Sequence, residues 1–296
     1  MEINRFKGLG VAMVTPFDKE GNIDVQALEK LTTFLIDGGI DYLVVQGTTG
    51  ESPVLSKTEK QLTLDTVATV NQGRLPIVFG IGGNNTNALT DDLQNYDLSN
   101  VDAILSASPY YNKPSQEGIY QHYKVLANAT DLPIILYNVP GRTASNVLPA
   151  TTLRLANEFS NIIAVKEASG DMEQIMSIIQ NKPDGFLVIS GDDAITMPIL
   201  ATGGDGIISV IGNAFPNEFK QMVAAGLRDD MPMSREIHYN LLPIIPLLFA
   251  EGNPAGVKEV LKHKGICDAY VRLPLVKVSE NLKSALQNET DRINNL

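Results

Sequence analysis

A chain of 296 residues, 44% hydrophobic and 19% charged, is long enough to bury a sizeable core, and its length suits a single α/β barrel. Its 34 acidic against 23 basic side chains leave a formal charge of -11, which repels phosphate backbones and anionic lipid and argues against nucleic-acid and membrane partners. The lone Cys267 excludes an internal disulfide framework and a cysteine-based zinc site, while His122, His238 and His263 are too scattered for a histidine-rich metal centre; a cytoplasmic address is expected.

Along the chain, short apolar runs alternate with amphipathic stretches, the pattern of repeated βα units. The first run, Gly10 to Val14, is too short for a membrane span and lies just before Pro16, so it predicts a strand. Asp24 is placed to cap the first helix. A second strand is predicted over Tyr42 to Gln46, and Ser56 with Glu59 has the capping-box spacing ahead of Leu62, Leu64, Val67 and Val70. Further strands are predicted over Pro76 to Gly80, Ala103 to Ala107, Pro133 to Tyr137, Ile162 to Val165, Phe186 to Ser190 and Gly206 to Val210. Runs such as Pro133-Ile134-Ile135-Leu136-Tyr137 lack polar alternation and predict burial on both faces, as in a parallel sheet. Eight such units favour a closed (β/α)8 TIM barrel over an open sheet. From Pro216 onward helical spacing continues without a clear strand, and Gly226, Asp229, Asp230 and Pro232 form a turn-rich hinge. The expected division is a catalytic barrel over residues 1–226 and a helical appendage over 227–296.

In such a barrel the chemistry lies at the carboxyl ends of the strands. Those ends carry Gly47-Thr48-Thr49-Gly50-Glu51, Tyr110-Tyr111-Asn112, Tyr137-Asn138-Val139-Pro140-Gly141-Arg142, Lys166-Glu167-Ala168 and Gly191-Asp192-Asp193. Lys166 closes an apolar run, where an ammonium is costly unless paired. A neutral amine there is a nucleophile that attacks a ketone and forms an imine; the competing reading is a structural lysine paired with Glu167. Tyr137 is either a packing residue or, with Thr48, part of a proton path to that amine. Arg142 follows a Pro-Gly turn and either grips a carboxylate over the barrel mouth or forms a surface ion pair. Gly203 and Gly204 precede the eighth strand, so a helix-ending turn explains them better than a phosphate loop.

The motifs Gly47-Thr48-Thr49-Gly50-Glu51, Tyr137-Asn138-Val139-Pro140, Lys166-Glu167 and Gly206-Ile207-Ile208-Ser209-Val210 stand in that order, and the likeness runs from Gly8 to Pro274. Together they resemble the dihydrodipicolinate synthase and N-acetylneuraminate lyase superfamily. The segments Tyr110-Tyr111-Asn112 and Tyr137 to Thr143 look like its synthase branch. The resemblance implies condensation of pyruvate with L-aspartate-4-semialdehyde in the diaminopimelate and lysine pathway, without metal or cofactor; motifs do not separate a dimer from a tetramer, and a homotetramer built as a dimer of dimers is expected. By that likeness Lys166 forms the Schiff base, Tyr137 moves protons, and Thr48 and Tyr111 complete the relay, Tyr111 across a dimer interface. Thr49, Gly191 and Ile208 would shape the pyruvate pocket, and Arg142 would hold the aldehyde substrate's carboxylate. The same likeness places an effector site for lysine at Ser52, Pro53, Lys57, Lys60, Asn84, Ala88 and Tyr110. Lys57, Lys60 and Ala88 offer little to pair an incoming ammonium, so weak or absent lysine feedback is expected. The rivals are a superfamily lyase for N-acetylneuraminate or a 2-keto-3-deoxy sugar acid, which Arg142 argues against, and a noncatalytic ligand-binding barrel.

Overall fold

The computed structural model describes residues 3–296. Eight parallel strands close in sequence order into a barrel: β1 (Gly8–Ala12), β2 (Tyr42–Val45), β3 (Ile77–Gly80), β4 (Ala103–Ala107), β5 (Ile134–Asn138), β6 (Ile162–Glu167), β7 (Leu187–Ser190) and β8 (Gly206–Ser209). Helices α1 (Val25–Asp37), α2 (Lys57–Asn71), α3 (Thr86–Asn95), α4 (Gln116–Ala129), α5 (Pro140–Thr143), α6 (Pro149–Glu158), α7 (Met172–Asn181), α8 (Thr196–Ala201) and α9 (Pro216–Leu227) follow the strands. The chain then adds α10 (Met231–Leu241), α11 (Ile244–Phe249), α12 (Ala255–His263) and α13 (Glu280–Asn294). The fold is therefore a TIM barrel with additional C-terminal helices.

Local chemistry starts the helices where their sequence predicts. The Asp24 carboxylate accepts the Ala27 N–H at the head of α1. At α2, Ser56 Oγ accepts the Glu59 N–H and the Glu59 carboxylate accepts the Ser56 N–H, satisfying two orphan donors reciprocally. At the tail of α8, the Gly204 N–H donates to the Ile199 carbonyl, so the glycines before β8 do end a helix.

Two apolar layers build the core. Leu9, Val11, Leu43, Val45, Phe79, Leu136 and Val165 face the helix ring, whereas Ala12, Tyr42, Val44, Val78, Leu105, Ile135 and Ile189 fill the barrel interior. The seam between β1 and β8 needs glycine: a Cβ on Gly206 would lie 2.2 Å from the Gly8 carbonyl oxygen. That close approach also sets the first strand, which spans Gly8–Ala12 rather than starting at Gly10, because Gly8 pairs with Gly206. Met13 and Val14 are buried beyond the end of β1, so apolar character alone misplaces that end.

One irregularity matters for the site. Ile134 pairs with Ile162 but Ile135 pairs with Ala164, so β6 carries one extra residue. Ile163 and Ala164 both belong to the interior cluster. A one-residue insertion reverses the face of every residue after it. Without it, alternation from Ile163 would turn Val165 inward and Lys166 outward. With it, Lys166 stands inside, opposite Tyr137.

Candidate active site

Lys166 and Tyr137 are neighbours on β6 and β5, and both lie inside the strands rather than beyond them. They are 5% and 6% exposed, and Lys166 Nζ sits 4.2 Å from the centre of the Tyr137 ring. Among the described residues, Lys166 makes no ion pair. The alternative of pairing with Glu167 is removed by geometry, because strand alternation sends Glu167 to the opposite face. There the carboxylate accepts hydrogen bonds from Asn138 Nδ2 (2.9 and 3.2 Å), Gln174 Nε2 (2.9 Å) and the Ser169 N–H (3.0 Å). Burial raises the Glu167 pKa, against the opposing pull of those donors.

Thr48, Thr49, Tyr137, Arg142, Lys166 and Gly191 line one cavity of about 620 Å³ at the carboxyl mouth. Thr48 and Thr49 form a single 3-10 turn after β2. Arg142 stands on the one-turn helix α5 started by Pro140 and, among the described residues, forms no ion pair. Gly191 leaves space for the amine: a Cβ there would come within 2.7 Å of Ala168 Cβ and 3.1 Å of Lys166 Cε.

Two expected residues stand apart. Ile208 is 1% exposed within the interior cluster and does not line the cavity. Tyr111 is 89% exposed on the loop after β4, with a left-handed φ of 66°, and does not reach the cavity within one chain. Among the described residues, no hydrogen bond joins Thr48 to Tyr137.

Sequence reading missed the far wall. Leu242, Ile245, Pro246 and Phe249 close the cavity from the C-terminal helices, and Asn253 joins them. Asn253 Nδ2 donates to Thr49 Oγ1 at 3.0 Å. Beneath that loop, Lys258 of α12 donates to Glu51 Oε1 at 2.6 Å, with both side chains essentially unexposed. Lys258 also donates to the Tyr270 carbonyl, and the Arg272 N–H donates to Glu51 Oε2. The Arg272 guanidinium in turn grips Glu59, holding that carboxyl down at about 2. The only sequence signal for Lys258 is a lysine amid the apolar residues Val257, Val260 and Leu261.

Between Asp192 and Ala194, which line the cavity, the buried Asp193 accepts hydrogen bonds from Ser209 Oγ and the Val210 and Ile211 N–H groups, bracketing the end of β8. Its full burial pushes the carboxyl up to about 6. Among the described residues, no group of three or more His, Cys, Asp or Glu side chains is placed to hold a metal ion, and no helix is long and apolar enough to cross a membrane.

A closed parallel barrel with an amine and a phenol side by side at its carboxyl mouth defines the class of this protein, a (β/α)8-barrel enzyme. The profile of the dihydrodipicolinate synthetase family matches residues 5–292. The chain belongs to that family and is a lyase. It is 54% identical over 288 residues to 4-hydroxy-tetrahydrodipicolinate synthase of Flavobacterium psychrophilum, covering 97% of this chain and 98% of that one. Among solved structures, dihydrodipicolinate synthase of Thermotoga maritima superposes with a TM-score of 0.96 at 37% identity, covering 99% of this chain and 100% of that one. The chloride-inhibited dihydrodipicolinate synthase of Acinetobacter baumannii complexed with pyruvate gives a TM-score of 0.95 at 36% identity, covering 98% and 99%.

Proposed function

We propose that the protein is a 4-hydroxy-tetrahydrodipicolinate synthase, condensing pyruvate with L-aspartate-4-semialdehyde through a Schiff base on Lys166. The observation that carries this reading is a buried amine packed against the Tyr137 ring, with the Arg142 guanidinium in the same cavity, neither of them ion-paired among the described residues. The Lys166 amine attacks the pyruvate ketone and water leaves, giving an imine whose positive nitrogen eases loss of a methyl proton. The resulting enamine attacks the aldehyde. The second substrate's amine then displaces Lys166 as the ring closes.

Tyr137 supplies and removes the protons, with Thr48 as its partner and Tyr111 of a second copy completing the path. The exposure of Tyr111 supports that role, since an unpartnered tyrosine on a mouth loop is free to enter a neighbouring cavity. Thr49 and Gly191 shape the pyruvate pocket, Ile208 acts on it only from the interior cluster through its backbone, and Arg142 holds the second substrate's carboxylate. The assembly is a homotetramer in the cytoplasm, and residues 227–296 act as an appendage that walls the cavity. Lysine feedback is weak or absent, because Lys57 is already engaged by Asp92 and like charge from Lys60 stands nearby. Inhibition by millimolar lysine at neutral pH contradicts that last statement.

Borohydride reduction in the presence of pyruvate, followed by peptide mapping, tests the chemistry. The expected adduct is on Lys166 and is lost, with turnover, in Lys166→Ala. Unchanged turnover in that variant removes the mechanism. Sugar-acid cleavage without condensation of the semialdehyde transfers the protein to the sister activity.

A further inference from the structure

The reacting pair is backed by a second pair. Tyr137 and Lys166 are register partners, and the next partners along the same strands are Asn138 and Glu167, turned to the other face. Asn138 and Glu167 are 1% and 0% exposed. Asn138 Nδ2 donates to the Glu167 carboxylate and, at 2.8 Å, to Asn146 Oδ1, while Asn138 Oδ1 accepts the Val147 N–H at 2.9 Å. Gln174, in the first turn of α7, donates to Glu167 and accepts from Asn146 Nδ2 at 2.8 Å. Every group facing the Glu167 oxygens is a donor, and no cation joins the cluster among the described residues.

A buried carboxylate without a cation is costly, and an apolar pair at the same place would close the sheet at lower cost. Its location gives the reason. It lies immediately downstream of the extra residue in β6, where a slip of one position would turn Lys166 out of the barrel. It also fastens Asn146 and Val147, the return limb of the loop that carries Arg142.

We propose that Asn138, Glu167 and Gln174 are positioning residues that lock the β5–β6 register behind Lys166 and Tyr137 and tie the Arg142 loop to it. The proposal rests on the Schiff-base reading of Lys166.

Glu167→Gln places an amide N–H2 against a ring of donors. The expected result is a fall in kcat of about 10²-fold, the cost of displacing a reacting group by about 1 Å, with KM for pyruvate nearly unchanged. Asn138→Asp combined with Glu167→Gln exchanges donor and acceptor while keeping the charge, and amide flips of Asn146 and Gln174 complete the exchange. That double variant recovers most of the lost kcat. A purified, folded Glu167→Gln enzyme with parental kcat, or a double variant no faster than the single, overturns the proposal. Should Glu167→Gln fail to fold, Gln174→Met decides: a several-fold loss of kcat supports positioning, and parental kcat overturns it. Borohydride trapping on the unsubstituted enzyme separates the two levels. Absence of an adduct at Lys166 overturns the Schiff-base reading, whereas a normal adduct with kcat insensitive to Glu167 overturns only the positioning.

Discussion

Two buried polar clusters brace the mouth of the barrel, and they are built on opposite principles. Behind β5 and β6, one carboxylate is held by neutral donors from residues close in sequence, Asn138, Ser169 and Gln174. Beneath the β2 loop, Glu51 is held by the ammonium of Lys258 and the backbone of Arg272, both more than two hundred residues away. The first cluster fixes a strand register, which is a matter of hydrogen-bond direction. The second fastens a loop to a distant helix, which is a matter of charge. A register lock tolerates exchange of donor for acceptor only when both partners change together, while an ion pair tolerates removal as a unit but not removal of one partner.

Lys258→Met breaks the second cluster most severely, because it leaves the buried Glu51 carboxyl without its ion-pair partner. Loss of about 3–5 kcal/mol is expected in denaturant unfolding. Glu51→Gln combined with Lys258→Met recovers most of that loss, in contrast to the exchange needed behind β5 and β6; a double variant as unstable as the single contradicts the distinction. A smaller effect is expected of Ser56→Ala, which removes the cap of the helix carrying Glu59 and costs about 1 kcal/mol by the same measurement.

The clusters also separate by pH. Arg272 holds Glu59 at about 2, so its contribution is full above the ordinary glutamate value and is lost only as pH falls through about 2. Burial raises Glu167, so its contribution runs the other way: full below the ordinary value and lost as pH rises through the raised one. Carboxyl-carbon NMR with labelled glutamate should show Glu167 taking up its proton at higher pH than Glu59. The reverse order contradicts the contrast.

The barrel was legible because its period and order are local properties. Capped helices at Asp24 and Ser56 and unbroken apolar strands leave few other ways to bury both faces of the sheet. Thr48, Thr49, Tyr137, Arg142, Lys166 and Gly191 were legible as residues at strand ends, and the structure gathers those six at one cavity. The inward direction of Lys166 was not legible, because an extra residue within Ile162-Ile163-Ala164 has no signature in an all-apolar run. Asn253 and Lys258 were hidden for a different reason: their partners, Thr49 and Glu51, lie more than two hundred residues away, beyond the range of any local pattern.

The Asn253 bond to Thr49 bears on biosynthesis of the polypeptide itself. The residues up to β8 include the amine, the phenol and the guanidinium, yet Asn253, which braces the threonine turn, follows all of them in the chain. The nucleophile is therefore translated before the brace of the turn beside it, and the cavity wall is completed by helices that follow the closing strand.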